Sequence, residues 1–165
     1  MKTLIELMRF YADHHTKTIT KITHFIGIPI IILSVQIVLS WLHSPFEYFS
    51  HISMAWIAAI LLLLYYASLD FQLALVSAIF LLPITLLANV LSQHKINLFS
   101  FILFCALFIF GWIIQFVGHY FEGKRPALFE NIFQVFIAPI FLIAELCFML
   151  GYRKDLQEKI EHPLK

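Results

Sequence analysis

Five apolar segments occupy most of this chain: His24 to Leu42, His51 to Leu69, Phe71 to Leu91, Asn97 to Val117 and Leu128 to Leu150. Only "HSPFEYFS", "SLDF", "SQHKIN" and "HYFEGKRPA" separate them. A hydrocarbon layer about 30 Å thick takes roughly 20 apolar residues of helix to cross, and within it the backbone must satisfy its own polar groups. Segments of this length joined this tightly make neighbouring helices antiparallel. Composition agrees: 61% of the 165 residues are hydrophobic and 13% charged, against roughly 45–50% and about 25% in a soluble domain. The expected fold is all-α, a polytopic membrane helical bundle forming a single integral membrane domain over residues 1–165. A net charge of +1 with no basic tract excludes nucleic acid as a partner. Cys105 and Cys147 lie in apolar runs and are expected to pack rather than to pair. The first twenty residues carry charges throughout, so no cleaved leader is expected.

The basic residues constrain the path. Lys2, Arg9, Lys17 and Lys21 precede the first segment, Lys124 and Arg125 follow the fourth, and Arg153, Lys154, Lys159 and Lys165 follow the fifth. The loops between hold only Lys95. The positive-inside rule places all three clusters on one side, which five full crossings cannot do. The fifth segment carries Glu130, Asn131, Gln134 and Glu145, with Pro139 near its middle, where a helix loses a hydrogen bond and bends. Four transmembrane helices plus a bent or partly inserted fifth are therefore expected.

With four crossings, His14, His15 and the start of the first segment share a membrane face with His119, while His43, His51 and His94 fall on the other and read as interfacial polar groups. His162 belongs to a polar tail. His15 and His24 are nine residues apart, on opposite faces of a straight helix, so they converge only if the chain bends, and "TKTIT" offers the place. His119 and Glu122, three apart, share a helical face, as do Gln115 and His119. Imidazole is the commonest protein metal ligand, so this face is a candidate metal site. Glu145, ionisable within an apolar segment, needs a partner, either a structural anchor, an acceptor for a ligating imidazole, or part of a proton path. Asp70 reads as the N-cap of the third helix.

"YADHHTKTITKITHFIGIP" (Tyr11 to Pro29) and "WIIQFVGHYFEGKRPALFEN" (Trp112 to Asn131) resemble the two signature regions of the membrane-bound 2-hydroxy-fatty-acid dioxygenase family. The first holds the family's tyrosine, two histidines nine apart and Ile-Gly-Ile-Pro; the second holds its Gly-His, a glutamate and Pro-Ala-Leu. Tyr65, Tyr66, Leu69, Asp70 and Glu145 extend the likeness over nearly the whole chain. One departure is Thr20, where the family often has asparagine.

The resemblance implies an Fe(2+)-dependent enzyme that takes a long-chain 2-hydroxy fatty acid and O2, and releases a fatty acid one carbon shorter. It implies His15, His24 and His119 as metal ligands, with His14 the rival to His15, and Glu122 as a fourth ligand or a hydrogen-bond acceptor behind the ligands. Gln115, Lys124 and Arg125 are candidate substrate contacts, the two bases as counter-ions for a carboxylate. The acyl tail would lie among the helices, entered sideways from the membrane lipids. The basic amino terminus suggests a site on the cytoplasmic side of a bacterial inner membrane or an endoplasmic reticulum. The competing class is a small transporter in which the histidines, Gln115, Gln134 and Glu145 relay protons.

Overall fold

The computed structural model describes residues 3–43, 52–93, 95–129 and 131–161, so His51, His94, Glu130 and His162 lie outside the described residues. Among the described residues seven α-helices follow one another: α1 (Leu4–Ala12), α2 (Thr18–Trp41), α3 (Met54–Leu69), α4 (Phe71–Ser92), α5 (Leu98–Glu122), α6 (Gln134–Met149) and α7 (Lys154–Glu161). Among the described residues no strand forms beyond a single bridge between His43 and Ser53. The protein is an all-α membrane bundle. α2, α4 and α5, with 24, 22 and 25 residues, are long and apolar enough to cross a membrane. α3, with 16 residues, is apolar but shorter, about 24 Å at 1.5 Å per residue. Cys105 and Cys147 are both unpaired.

Local chemistry sets the helix ends. Thr3 and Glu6 cap α1 reciprocally, the side-chain exchange that satisfies two orphan donors. Asp70 accepts the Leu73 N–H at 2.9 Å as the N-cap of α4, as its position in the sequence suggests. Asn97 and Ser100 cap α5 in the same reciprocal way. Gly123 ends α5 at φ +77°, a left-handed conformation that glycine adopts without a Cβ penalty.

α2 runs through the middle of the bundle, packing most extensively on α5 and also on α3, α4 and α6. Glycines allow that contact. A Cβ on Gly118 would sit 2.1 Å from Thr23 Oγ1, and one on Gly27 would meet the Gly111 carbonyl at 3.1 Å. Close backbone approach of this kind is how membrane helices gain packing energy where lipid offers no hydrophobic drive.

α6 resolves the charge problem. It is helical through Pro139, and Tyr66 donates to the Phe136 carbonyl at 2.6 Å in the turn that the proline weakens. The sharp break comes later, at Gly151 and Arg153, both at positive φ, where α6 and α7 meet at 118°. Both ends of α6 are fastened to the same end of the bundle. Near its start Gln134 shares a cavity with His24 and His119; near its end Glu145 pairs with Lys21 at 2.8 Å; just beyond it Arg153 grips Asp70. The fifth segment therefore turns back, and the basic clusters meet on one face. α1 packs on α6 and α7 there, and the Arg9 guanidinium donates to the Lys159 carbonyl.

The Arg153–Asp70 pair is bidentate, with both N–O distances 2.9 Å. Burial alone would raise the Asp70 carboxyl, but hydrogen bonds from Arg153 and the Leu73 N–H outweigh it and hold the pKa below its ordinary value. A carboxyl depressed in the folded state contributes stability that is full above the unfolded pKa, about 3.9, and is lost as pH falls through the lowered folded value. Arg153→Ala is expected to lower stability in detergent by about 1–2 kcal/mol at pH 7. The deficit should shrink and then vanish as pH falls through the lowered folded pKa of Asp70 and the carboxyl takes up a proton, measured as thermal unfolding across a pH series.

Candidate metal centre

His15, His24 and His119 converge although they come from three stretches of chain. α1 ends at Ala12, residues 13–17 turn, and α2 begins at Thr18, so His15 lies in the turn, His24 one and a half turns into α2, and His119 in the last turn of α5. The turn thus runs into "TKTIT", the stretch expected to bend: Thr16 and Lys17 belong to it and Thr18 to Thr20 are helical. No residue type forces it there. Lys17, at the N-cap of α2, makes no capping side-chain bond. The Glu122 carboxylate arrives from α5 instead and accepts the Thr16 and Lys17 N–H groups at 2.9 and 3.0 Å, together with the Thr16 and Thr20 hydroxyls at 2.5 Å each. An anion at a helix N-terminus satisfies orphan donors and complements the dipole.

One ligand nitrogen from each of His15, His24 and His119 lies within 4.8 Å of the others, and all three rings are buried. His15 Nδ1 donates to the Tyr11 carbonyl at 2.6 Å and His24 Nδ1 to the Thr20 carbonyl at 2.8 Å. Such bonds fix the tautomer and leave each Nε2 as the ligand. The two Nε2 atoms then face each other at 2.9 Å, lone pair toward lone pair. This is repulsive unless a cation lies between them. Two nitrogens at about 2.1 Å from a shared ion and at right angles would be about 3 Å apart, so the donor set fits a metal. His119 Nδ1 is buried without a partner among the described residues, which leaves that ring a nitrogen free for the ion. Burial pushes His15 down to about 4, keeping it neutral and able to ligate at physiological pH. Tyr11 stacks on His15 with ring centroids 4.0 Å apart.

The other expected residues are placed less centrally. His14 Nδ1 donates to the Phe10 carbonyl, 2.9 Å away, and the residue is not one of the group of three. Glu122 lies beside the histidines with both oxygens engaged as described. Lys124 turns to the Asp13 carbonyl at 2.6 Å and Arg125 is exposed; neither lines the cavity below the histidines. Gln115 does line it. Gln134 does too, though its place in the sequence marked it only as a polar break in an apolar run. Thr20, the departure from the family pattern, links the parts: its hydroxyl reaches Glu122 and Gly118, and its carbonyl holds His24.

That cavity, about 90 Å³, has His15, His24 and His119 at one end and Ile28, Ile31, Ile32 and Trp112 in its wall. A second cavity of about 190 Å³ shares Ile28, Ile32 and Pro139 with it and continues between α2, α4 and α6, lined by Phe80, Leu81 and Leu142 among others.

The comparisons with known proteins identify the family. The family model described as Mpo1-like, 2-hydroxy-palmitic acid dioxygenase Mpo1-like, matches residues 1–150. The 2-hydroxy-palmitic acid dioxygenase MPO1 of Saccharomyces cerevisiae is 32% identical over 158 residues, covering 94% of this chain and 86% of the yeast protein. No solved structure matches. With a family model spanning nine-tenths of its length and three buried imidazoles where both signature regions meet, this chain belongs to the Mpo1-like family of 2-hydroxy fatty acid dioxygenases.

Proposed function

We propose that the protein is an Fe(2+)-dependent dioxygenase that shortens long-chain 2-hydroxy fatty acids by one carbon. The observation that carries this reading is the convergence of three neutral imidazole nitrogens at the head of an apolar cavity inside a membrane bundle. Three protein ligands leave coordination positions open, as non-haem iron that activates oxygen requires. When bound, the iron supplies a Lewis acid for the substrate's hydroxyl and carboxylate and a site for O2. The step balances with C1 leaving as CO2 and C2 oxidised to the new carboxyl: these two changes give up four electrons, O2 takes them up, and the oxygen not kept in the acid or CO2 leaves as water.

The chain's own residues do the rest. His15, His24 and His119 hold the ion; the Tyr11 and Thr20 carbonyls fix two of those rings; Glu122 holds the start of α2 against the end of α5. Ile28, Ile31, Ile32 and Trp112 take the first methylenes and keep water out, and the second cavity, reached past Ile28, Ile32 and Pro139, takes the rest of the tail. The basic clusters gather on the face that carries the histidines, which the positive-inside rule makes cytoplasmic. A proton-relay transporter finds less support, because Glu145, its best candidate for an intramembrane proton site, is paired with Lys21.

The test is direct. Protein purified anaerobically, supplied with Fe(2+) and 2-hydroxyhexadecanoate labelled with ¹³C at C1, is exposed to O2 and the products are followed by mass spectrometry. Unlabelled pentadecanoate, with the label in a one-carbon product, is the expected result. Unchanged substrate with iron bound would overturn the proposal.

A further inference from the structure

Two carboxamides face the histidine-headed cavity from different helices. Gln115 comes from α5, one turn before His119, and Gln134 from the first turn of α6. Both line the cavity, and they are 4% and 2% exposed. Gln115 Nε2 and Gln134 Oε1 have no hydrogen-bond partner among the described residues. A buried donor or acceptor left unpaired costs about 1–3 kcal/mol, and most proteins satisfy nearly all of theirs. Two such groups lining one small cavity point to a polar ligand that fills it. The rest of the wall is aliphatic and aromatic, so the polar part of the ligand is small and its remainder apolar.

Resting on the reaction proposed above, we infer that Gln115 and Gln134 form the seat for the substrate's head group and the means by which a 2-hydroxy acid is told from an unsubstituted one. The Gln115 Nε2–H donates to a carboxylate oxygen. The Gln134 Oε1 accepts from the 2-hydroxyl. A carboxamide suits each task because it carries a donor and an acceptor without charge, and so holds the head without competing with the ion for the carboxylate. The bases nearest in sequence do not take this role: Lys124 is committed to the Asp13 carbonyl, and neither it nor Arg125 lines the cavity. The position of Gln134 also explains why α6 turns back. A helix that crossed would not bring its first turn against the histidine end while fastening its last turn to Lys21 there. Discrimination by a paired hydroxyl is strong, because the analogue lacking it leaves the buried acceptor empty.

Equilibrium binding of radiolabelled 2-hydroxyhexadecanoate and of hexadecanoate is measured anaerobically, with no turnover, on the full chain loaded with Fe(2+), and iron content is read in parallel. Wild type is expected to prefer the 2-hydroxy acid by roughly tenfold or more. Gln134→Met should erase that preference by weakening the 2-hydroxy acid alone, with iron content unchanged. Gln134→Glu, which keeps an acceptor, should retain the preference while weakening both acids. Gln115→Met should weaken both acids about equally, roughly tenfold. A full preference kept by Gln134→Met overturns the inference and leaves the proposed reaction standing. Should wild type bind iron yet show no preference between the acids, the inference fails whatever the assay for pentadecanoate finds. Should wild type bind neither acid, the inference and the proposed reaction fall together.

Discussion

His24→Ala and His119→Ala are each expected to abolish stoichiometric metal binding while His14→Ala leaves it intact. Wild-type protein purified anaerobically should carry roughly one iron per chain, the number a single site of three histidines would hold. Disturbing only the groups behind metal ligands typically costs 10–100-fold in affinity, so removing one of three ligands should cost more than about 100-fold. His14 provides the internal control. It neighbours His15 in sequence and is also buried, but its Nδ1 donates to the Phe10 carbonyl and it is not one of the three rings whose nitrogens converge. Elemental analysis of the four proteins reads the outcome. Equal iron in His24→Ala and wild type would sink the assignment, and metal lost from His14→Ala but kept in a His15→Ala variant would move the site by one residue.

The second large effect is expected at Glu122. Its carboxylate, 7% exposed, accepts two backbone N–H groups and two hydroxyls from the segment that joins α1 to α2. Hydrogen bonds to a charged group contribute about 1.5–3 kcal/mol each before losses shared between them. Glu122→Ala leaves three donors without an acceptor, the Thr20 hydroxyl keeping the Gly118 carbonyl, and a loss of about 3 kcal/mol or more is expected. Because the same segment carries His15, metal affinity should fall alongside stability. Glu122→Gln keeps one acceptor oxygen and should lie between. Thermal unfolding in detergent, compared with and without metal, separates two roles: a carboxylate that bound the ion itself would lose metal in the glutamine variant at little cost to the apo-protein, whereas one that fastens α2 to α5 weakens both.

How far the sequence carries a reader can be judged residue by residue. The long apolar segments, the capping role of Asp70 and the close packing at Gly27 and Gly118 follow from patterns that act within a turn or two, and the structure has them where those patterns point. The turning back of the fifth segment could be inferred because charge obeys a rule that spans the whole chain, yet its sharp break lies at Gly151 and Arg153 rather than at Pro139. The proline is tolerated since Tyr66, seventy residues away, serves a carbonyl beside it. α1 carries a legible start signal in Thr3 and Glu6, but its apolar face is too short to register as a membrane segment. By spacing alone the histidines were legible as candidates and not as a cluster, and only the family resemblance grouped them, because the turn that joins them depends on Glu122, more than a hundred residues on. Gln134 was visible only as an interruption; what gives it meaning is the cavity it faces, and no local pattern encodes a cavity.

The returning α6 also bears on how such a chain enters a bilayer. In the four-crossing arrangement that the sequence predicts, the two short connections, residues 42–53 and 93–97, are the polar ones carried across. Those connections hold a single acid, Glu47, and a single base, Lys95. Moving a charge through hydrocarbon is the steepest barrier in insertion, and here it is met almost nowhere. In that arrangement the groups proposed to hold a metal and an acid head stay on the side where the chain begins, and the centre would assemble without any of its donors having crossed the membrane.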